Sequence, residues 1–293
     1  MVKQPLILVV LATLLLSGCD KLDVAGMFYF KCPDVRTRFK QSMEFNDQHG
    51  YPTVAIPYDD YRVYVAADVH TDGYPANFAE MIRRCNADSL SRFYLVLGDI
   101  VSSKDNLALL PDIMPITPGT HPGEDTAFVI PGNHDNYFDV WEAWIAMFHR
   151  SAYYVTAQTP HHRDLYIMLD VCSGTLGDTQ MAWLRDVLAT VRPGCRHCVV
   201  CFHNNLFRTD HSQIPSSNLP LEETYALLRL LSDNSVYACL SGHDHFRGIN
   251  EFEGVTYITL DDIKDDSPHA SYLTLDMGAT TDHTFVRLGE AEN

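Results

Sequence analysis

A chain of 293 residues, 46% hydrophobic and 20% charged, is long enough to bury a sizeable core as one large domain or two small ones. Its formal charge of −17 excludes retention of nucleic acid through the phosphate backbone, which needs a basic stripe, and admits an anionic ligand only where metal ions supply positive charge. No low-complexity tract or internal repeat interrupts it.

At the N-terminus Lys3 precedes an apolar run, Leu6 to Leu16, too short to cross a bilayer but suited to a signal-peptide core. It ends in Leu16-Ser17-Gly18-Cys19, which resembles the bacterial lipoprotein cleavage box. That resemblance implies removal of residues 1–18, acylation of Cys19, and a membrane-anchored lipoprotein of the cell envelope, outside the cytoplasm. A plain secretory signal or a buried helix would not require a cysteine at that place. Residues 19–57 then read as a tether and an N-terminal helix, and 58–293 as the main domain. Seven further cysteines are an odd number for an oxidising compartment, so at least one is unpaired. Cys195-x-x-Cys198 has redox or half-zinc-site spacing, but no such pair lies elsewhere in the chain to complete a four-cysteine site, and Cys198 runs into the strand-like Val199-Val200-Cys201. Core cysteines or a structural bridge are expected there.

Between Arg36 and Asn46, Phe39, Met43 and Phe45 have helical spacing, and prolines at 52 and 57 break the chain before the first core strand. Arg62–Ala67 is rich in β-formers and ends in Asp68-Val69-His70; residues two apart in an extended segment face one side, so both can approach one ion. Alone, that tripeptide reads more readily as a capped turn than as a metal site. A helix follows over Pro75–Ala87, with Phe78, Met81 and Ile82 inward. The strand Arg92–Leu97 ends in Gly98-Asp99, a turn that presents a carboxylate able to reach two cations. Residues 101–125 carry four prolines and read as a long loop. Phe128-Val129-Ile130 then delivers Pro131-Gly132-Asn133-His134-Asp135 to the C-terminal edge of a strand, where sites assemble in α/β sheets. Asp139–Arg150 is a helix whose Trp141, Trp144, Ile145 and Phe148 suit a core.

The second half repeats the alternation. Asp164–Val171 is a strand, and Asp178 can cap a helix with Met181, Leu184, Val187 and Leu188 on one face. His197–Phe202 is a strand that delivers His203, Asn204–Pro220 a loop, and Leu221–Leu231 a helix. Val236–Leu240 ends in Ser241-Gly242-His243-Asp244-His245, and strand-like runs close the chain at Val255–Leu260, Ser271–Leu275 and His283–Leu288. Strands alternating with helices, then consecutive strands, indicate an α/β class with mixed sheets.

Asp68-x-His70, Gly98-Asp99, Gly132-Asn133-His134-Asp135, His203 and Gly242-His243-x-His245 together resemble the calcineurin-like metallophosphoesterase superfamily, with its motifs in order over residues 68–245. Five of the fourteen histidines fall on motif positions. The resemblance implies a four-layer αββα sandwich, two mixed β-sheets face to face with helices outside. It implies two divalent metals, one held by Asp68, His70 and His245, the other by Asn133, His203 and His243, with Asp99 bridging. It also implies hydrolysis of a phosphomonoester or phosphodiester by a metal-activated hydroxide, with His134 beside the attacked phosphate as acid or charge stabiliser. Nitrogen and oxygen donors without thiolate suit Mn, Fe or Zn. The partners expected are a phosphorylated small molecule or envelope substrate and, through the lipid, the membrane.

Two departures stand out. Many relatives carry an aspartate three residues after the bridging one, orienting the catalytic histidine; here it is Ser102, with Asp105 and Asp135 as possible substitutes. Ser103 and Lys104 replace the arginine of protein phosphatases, and Ile100-Val101-Ser102 offers no tyrosine ligand of the purple acid phosphatase type. The alternative is therefore a lipoprotein with impaired catalysis that uses the fold as a binding or scaffold module. Specificity is expected in the loops 101–125, 136–163 and 204–220.

Overall fold

Parallel strands covered on both faces must be apolar on both, and the sequence supplies such runs. A computed structural model of the protein describes residues 32–114, 126–137, 139–211 and 213–289. The leader, Cys19 and residues 115–125 of the proline-rich loop lie outside them. The elements belong to one compact unit that begins at Pro33. Helix α1 spans Val35–His49, β1 Thr53–Ala55, β2 Tyr61–Ala66, α2 Ala76–Ala87, β3 Ser91–Leu97 and β4 Thr126–Ile130. A short helix α3 (Asn133–Asn136) precedes α4 (Trp141–Phe148), β5 (Tyr153–Gln158), β6 (Arg163–Met168), α5 (Gly177–Thr190) and β7 (Cys198–Asn204). The chain continues through α6 (Leu221–Asp233), β8 (Ala238–Gly242), β9 (Gly248–Phe252), β10 (Val255–Thr259), β11 (Ser271–Met277) and β12 (Asp282–Arg287).

The strands form two mixed sheets, a seven-stranded one in the order β1-β5-β6-β7-β8-β10-β9 and a five-stranded one in the order β12-β11-β2-β3-β4. Alternation along the strands makes three cores. Val63, Val65, Phe93, Leu95 and Leu97 of one sheet meet Tyr166, Met168, Val199, Cys201 and Leu240 of the other. The intervening residues Tyr64, Tyr94 and Val96 face outward onto Phe78, Met81 and Trp144 of α2 and α4. Leu165, Ile167, Val200 and Phe202 face outward onto Leu184, Leu188 and Leu228 of α5 and α6. This is the expected αββα sandwich.

Several local expectations are corrected. Strands β1, β5 and β9 were not anticipated, and β5 occupies part of the expected 136–163 loop. The proline-rich loop contains a 3₁₀ helix over Lys104–Asp112. Asp178 is not a cap but lies in the first turn of α5, where Arg36 donates two 2.9 Å bonds to it. Of the apolar face expected on α1 only Phe39 is buried; Arg38, Ser42 and Asn46 go in beside it. The reason is a polar dock. Ser42 Oγ donates to Ala152 O (2.7 Å) and accepts from the backbone N–H groups of Ser151 and Ala152 (3.0 and 2.9 Å). Arg38 forms two 2.9 Å bonds to Asp170 and donates to Pro33 O (2.8 Å) and Ser173 Oγ (2.9 Å). Cys195 and Cys198 are buried and form no disulfide, so the core role holds for them and the bridge does not.

Candidate metal centre

The candidate ligands sit where the C-terminal ends of β2, β3 and β4 meet those of β7 and β8. Loop-to-loop backbone bonds fix the junction: Asp68 N–H donates to Gly98 O (3.1 Å) and His70 N–H to Asp99 O (2.8 Å). Gly98 has φ +87°, and a Cβ there would lie 2.5 Å from the Gly132 nitrogen and 2.8 Å from His203 Nδ1, so no larger residue lets the two sheets close. Asp68, His70, Asp99, His243 and His245 themselves hold left-handed backbone, with φ between 45° and 76°. Strain of this kind collects at functional sites.

The sequence-predicted residues converge. Asp68, His70 and His245 each offer a ligand atom within 4.8 Å of the others, as do Asp68, Asp99 and His203. His70 Nε2 is 3.2 Å from His245 Nε2 and 3.6 Å from Asp99 Oδ2, while His245 Nε2 is 3.4 Å from Asp68 Oδ1. On the other side, Asn133 Oδ1 lies 3.1 Å from His203 Nε2 and 3.0 Å from His243 Nδ1, and Asp99 Oδ2 lies 3.4 Å from His203 Nε2. Asp99 thus touches both groups. His134 meets His70 edge-on, ring centres 4.7 Å apart, and its backbone N–H donates to Asp99 Oδ1 at 2.8 Å. It also falls within ligand reach of His70 and Asp99.

The electrostatics are those of a site short of positive charge. Asp68 is wholly buried, and its Oδ1 has no hydrogen-bond partner among the described residues. A buried carboxylate oxygen left so is costly unless a cation meets it. Burial pushes His70 down to about 4, which keeps its imidazole neutral with a lone pair to give. Burial also opposes charge on His203, but the Asp99 and Asp68 carboxylates outweigh it and raise that ring to about 10. Its Nδ1–H donates to Leu97 O at 2.7 Å, which turns Nε2 toward the cluster. A buried carboxylate whose Oδ2 accepts from the His243 backbone N–H at 2.9 Å while Oδ1 has no donor among the described residues, set among imidazole nitrogens and an amide oxygen with no thiolate, fits divalent cations.

Of the residues offered to orient His134, Asp135 is committed elsewhere. Its carboxylate accepts from the backbone N–H groups of Gly132 (2.9 Å), Ile100 (3.1 Å) and Val101 (3.3 Å), bracing the Gly98–Asp99 turn against the β4 loop. Burial, then the Asp99 charge, pushes it up to about 7. Ser102 Oγ donates to His70 O at 3.1 Å and ties the first two motif loops together.

Sequence reasoning missed two contributors. Asp244 accepts from Asn205 Nδ2 (2.7 Å) and Thr209 Oγ1 (3.0 Å), which pins the 204–220 loop to the last motif. Asp262, nearly buried, places Oδ2 3.7 Å from His245 Nδ1. A signal for it was present: Tyr257-Ile258-Thr259-Leu260 is a strand-like run ending in acid, as before Asp68 and Asp99.

A model of the family described as calcineurin-like phosphoesterase matches residues 61–247. No protein with a curated description matches the chain. Among solved structures, the chain is similar to GAP50, the anchor in the inner membrane complex of Plasmodium, at 15% identity and TM-score 0.59, over 80% of this chain and 86% of that one. It is similar to a dimetal phosphatase from Danio rerio at 14% identity and TM-score 0.55, over 77% and 95% of the two chains. A purple acid phosphatase from yellow lupin (Lupinus luteus) seeds matches at 12% identity and TM-score 0.53, over 75% of this chain and 49% of its own. At these identities the likeness is one of fold.

Proposed function

The chain belongs to the calcineurin-like phosphoesterase family, and from that premise we propose that it is a metal-dependent hydrolase of phosphoesters with a dinuclear centre. The observation that carries the reading is the buried Asp68 Oδ1, left without a donor and facing imidazole nitrogens. Asp68, His70 and His245 would hold one ion, Asn133, His203 and His243 the other, with Asp99 shared. Two bound divalent cations supply an acidified water and charge neutralisation for the phosphoryl oxygens. The protein residues do the rest. Leu97 O fixes the His203 tautomer, the His134 N–H steadies Asp99, and the His134 ring, edge-on to His70, protonates the departing oxygen.

A second reading, a metal-binding module with weak catalysis, is favoured by Ser102, whose hydroxyl serves the His70 carbonyl where relatives have a carboxylate. One assay separates them. The full chain, loaded in turn with Mn, Fe or Zn, is offered phosphomonoesters and phosphodiesters. Metal-dependent turnover supports hydrolysis; metal uptake without turnover on any ester supports the module.

We also propose export and anchoring through an acylated Cys19, which makes phosphoesters of the envelope the natural substrates. Among the described residues no helix is long and apolar enough to cross a membrane. Wild type is expected in the membrane fraction and Cys19→Ala as uncleaved precursor. Recovery of both as processed soluble chains would leave ordinary secretion only.

A further inference from the structure

We infer that Asp262 is a positioning residue for the first ion site: it holds the His245 imidazole with its proton on Nδ1, so that the Nε2 lone pair stays turned toward Asp68 and His70. The inference rests on the metal-centre reading above. Three observations carry it. The His245 ring stands between two carboxylates, with Asp262 Oδ2 3.7 Å from Nδ1 and Asp68 Oδ1 3.4 Å from Nε2. Asp262 is only 6% exposed, and Ser267 Oγ donates to its other oxygen at 2.5 Å, so Oδ2 is held in place. Ser271 N–H also donates to the Asp262 carbonyl at 3.3 Å, fixing its backbone to the start of β11.

The ligand histidines differ in what restrains them, and His245 is the most open of those compared. His203, wholly buried, has its tautomer set by a 2.7 Å bond to Leu97 O. His243 faces Asn133 through Nδ1 itself. His245 has a side chain 36% exposed on left-handed backbone, so its surroundings restrain it least. A histidine ligand whose second nitrogen lies against a carboxylate gains basicity and a fixed ring plane, and loss of that partner typically weakens metal binding by about 10–100-fold.

The test is titration of the metal-free full-length chain with Mn²⁺ and with Zn²⁺, read as stoichiometry and affinity of each step. Asp262→Ala is expected to weaken one of the two steps by about 10–100-fold and leave the other unchanged, and Asp262→Asn, which keeps an acceptor oxygen, to fall between. Ser267→Ala removes the hydrogen bond that steadies Asp262 but keeps the carboxylate, and is expected to weaken the same step less than Asp262→Ala does. Unchanged affinity in Asp262→Ala, or an equal loss at both steps, overturns the inference and leaves the metal centre standing. Wild type that binds no metal overturns both.

Discussion

Arg38 and Asp170 are wholly buried, and Asp68 and Asp99 are nearly or wholly so, yet the two clusters are built differently. At the α1 dock, Asp170 receives two guanidinium bonds, the Cys172 backbone N–H at 3.3 Å and the Cys172 thiol at 3.1 Å. The Arg38 guanidinium in turn lies 5.4 Å from the centre of the Trp141 ring. In the candidate metal centre, two carboxylates share three imidazole rings and one oxygen has no donor among the described residues. A closed network serves the fold. An open one, held in place by strained backbone, serves a ligand.

The largest effect expected tests the open cluster. Asp99→Asn should abolish turnover and drop bound metal below two per chain. Two metals and near wild-type activity in that variant would sink the site assignment. Asp170→Ala is the counterpart, expected to cost about 3–5 kcal/mol in denaturant unfolding because it strands the Arg38 charge. Metal uptake by the folded fraction should be unchanged; if instead metal is lost with no change in stability, the two clusters have been assigned the wrong way round.

His134→Ala should lower kcat by roughly 10²-fold or more with metal content near wild type. Loss of metal together with activity would make His134 a ligand, as its reach to His70 and Asp99 permits. The smallest effect is expected from replacing the whole closed pair. Arg38→Met with Asp170→Leu should be near neutral or stabilising by about 1–4 kcal/mol, since both desolvation costs vanish together. A loss as large as that of Asp170→Ala alone would show that the dock depends on the ion pair itself.

Much of the centre was legible because each motif follows an apolar run, and strand ends in α/β sheets deliver side chains to a common edge. The layer order came from the motif resemblance, not from periodicity. What was illegible was polar burial. Helical spacing puts the α1 face at Phe39, Met43 and Phe45, and nothing local in Arg38 or Ser42 announces partners more than 100 residues away, at Asp170 and Ala152. Asp135 reads as a spare acid within its motif, and only the folded chain brings the Ile100 and Val101 N–H groups to it. Asp262 lies beyond the last motif, so its one signal, an acid at the end of an apolar run, had no motif to attach to.

The left-handed backbone at Asp68, His70, Asp99, His243 and His245 bears on how this protein can change. Aspartate and histidine tolerate that region better than most residues, but glycine tolerates it best. At about 1 kcal/mol each, five such positions approach the lower end of a domain's net stability. A library selected only for heat resistance, with metal withheld, should therefore enrich glycine or asparagine at these positions before it alters the sheets. Natural drift released from the need for metal would move the same way, so the five residues would be the first record of a lost activity. In this chain all five are still aspartate or histidine.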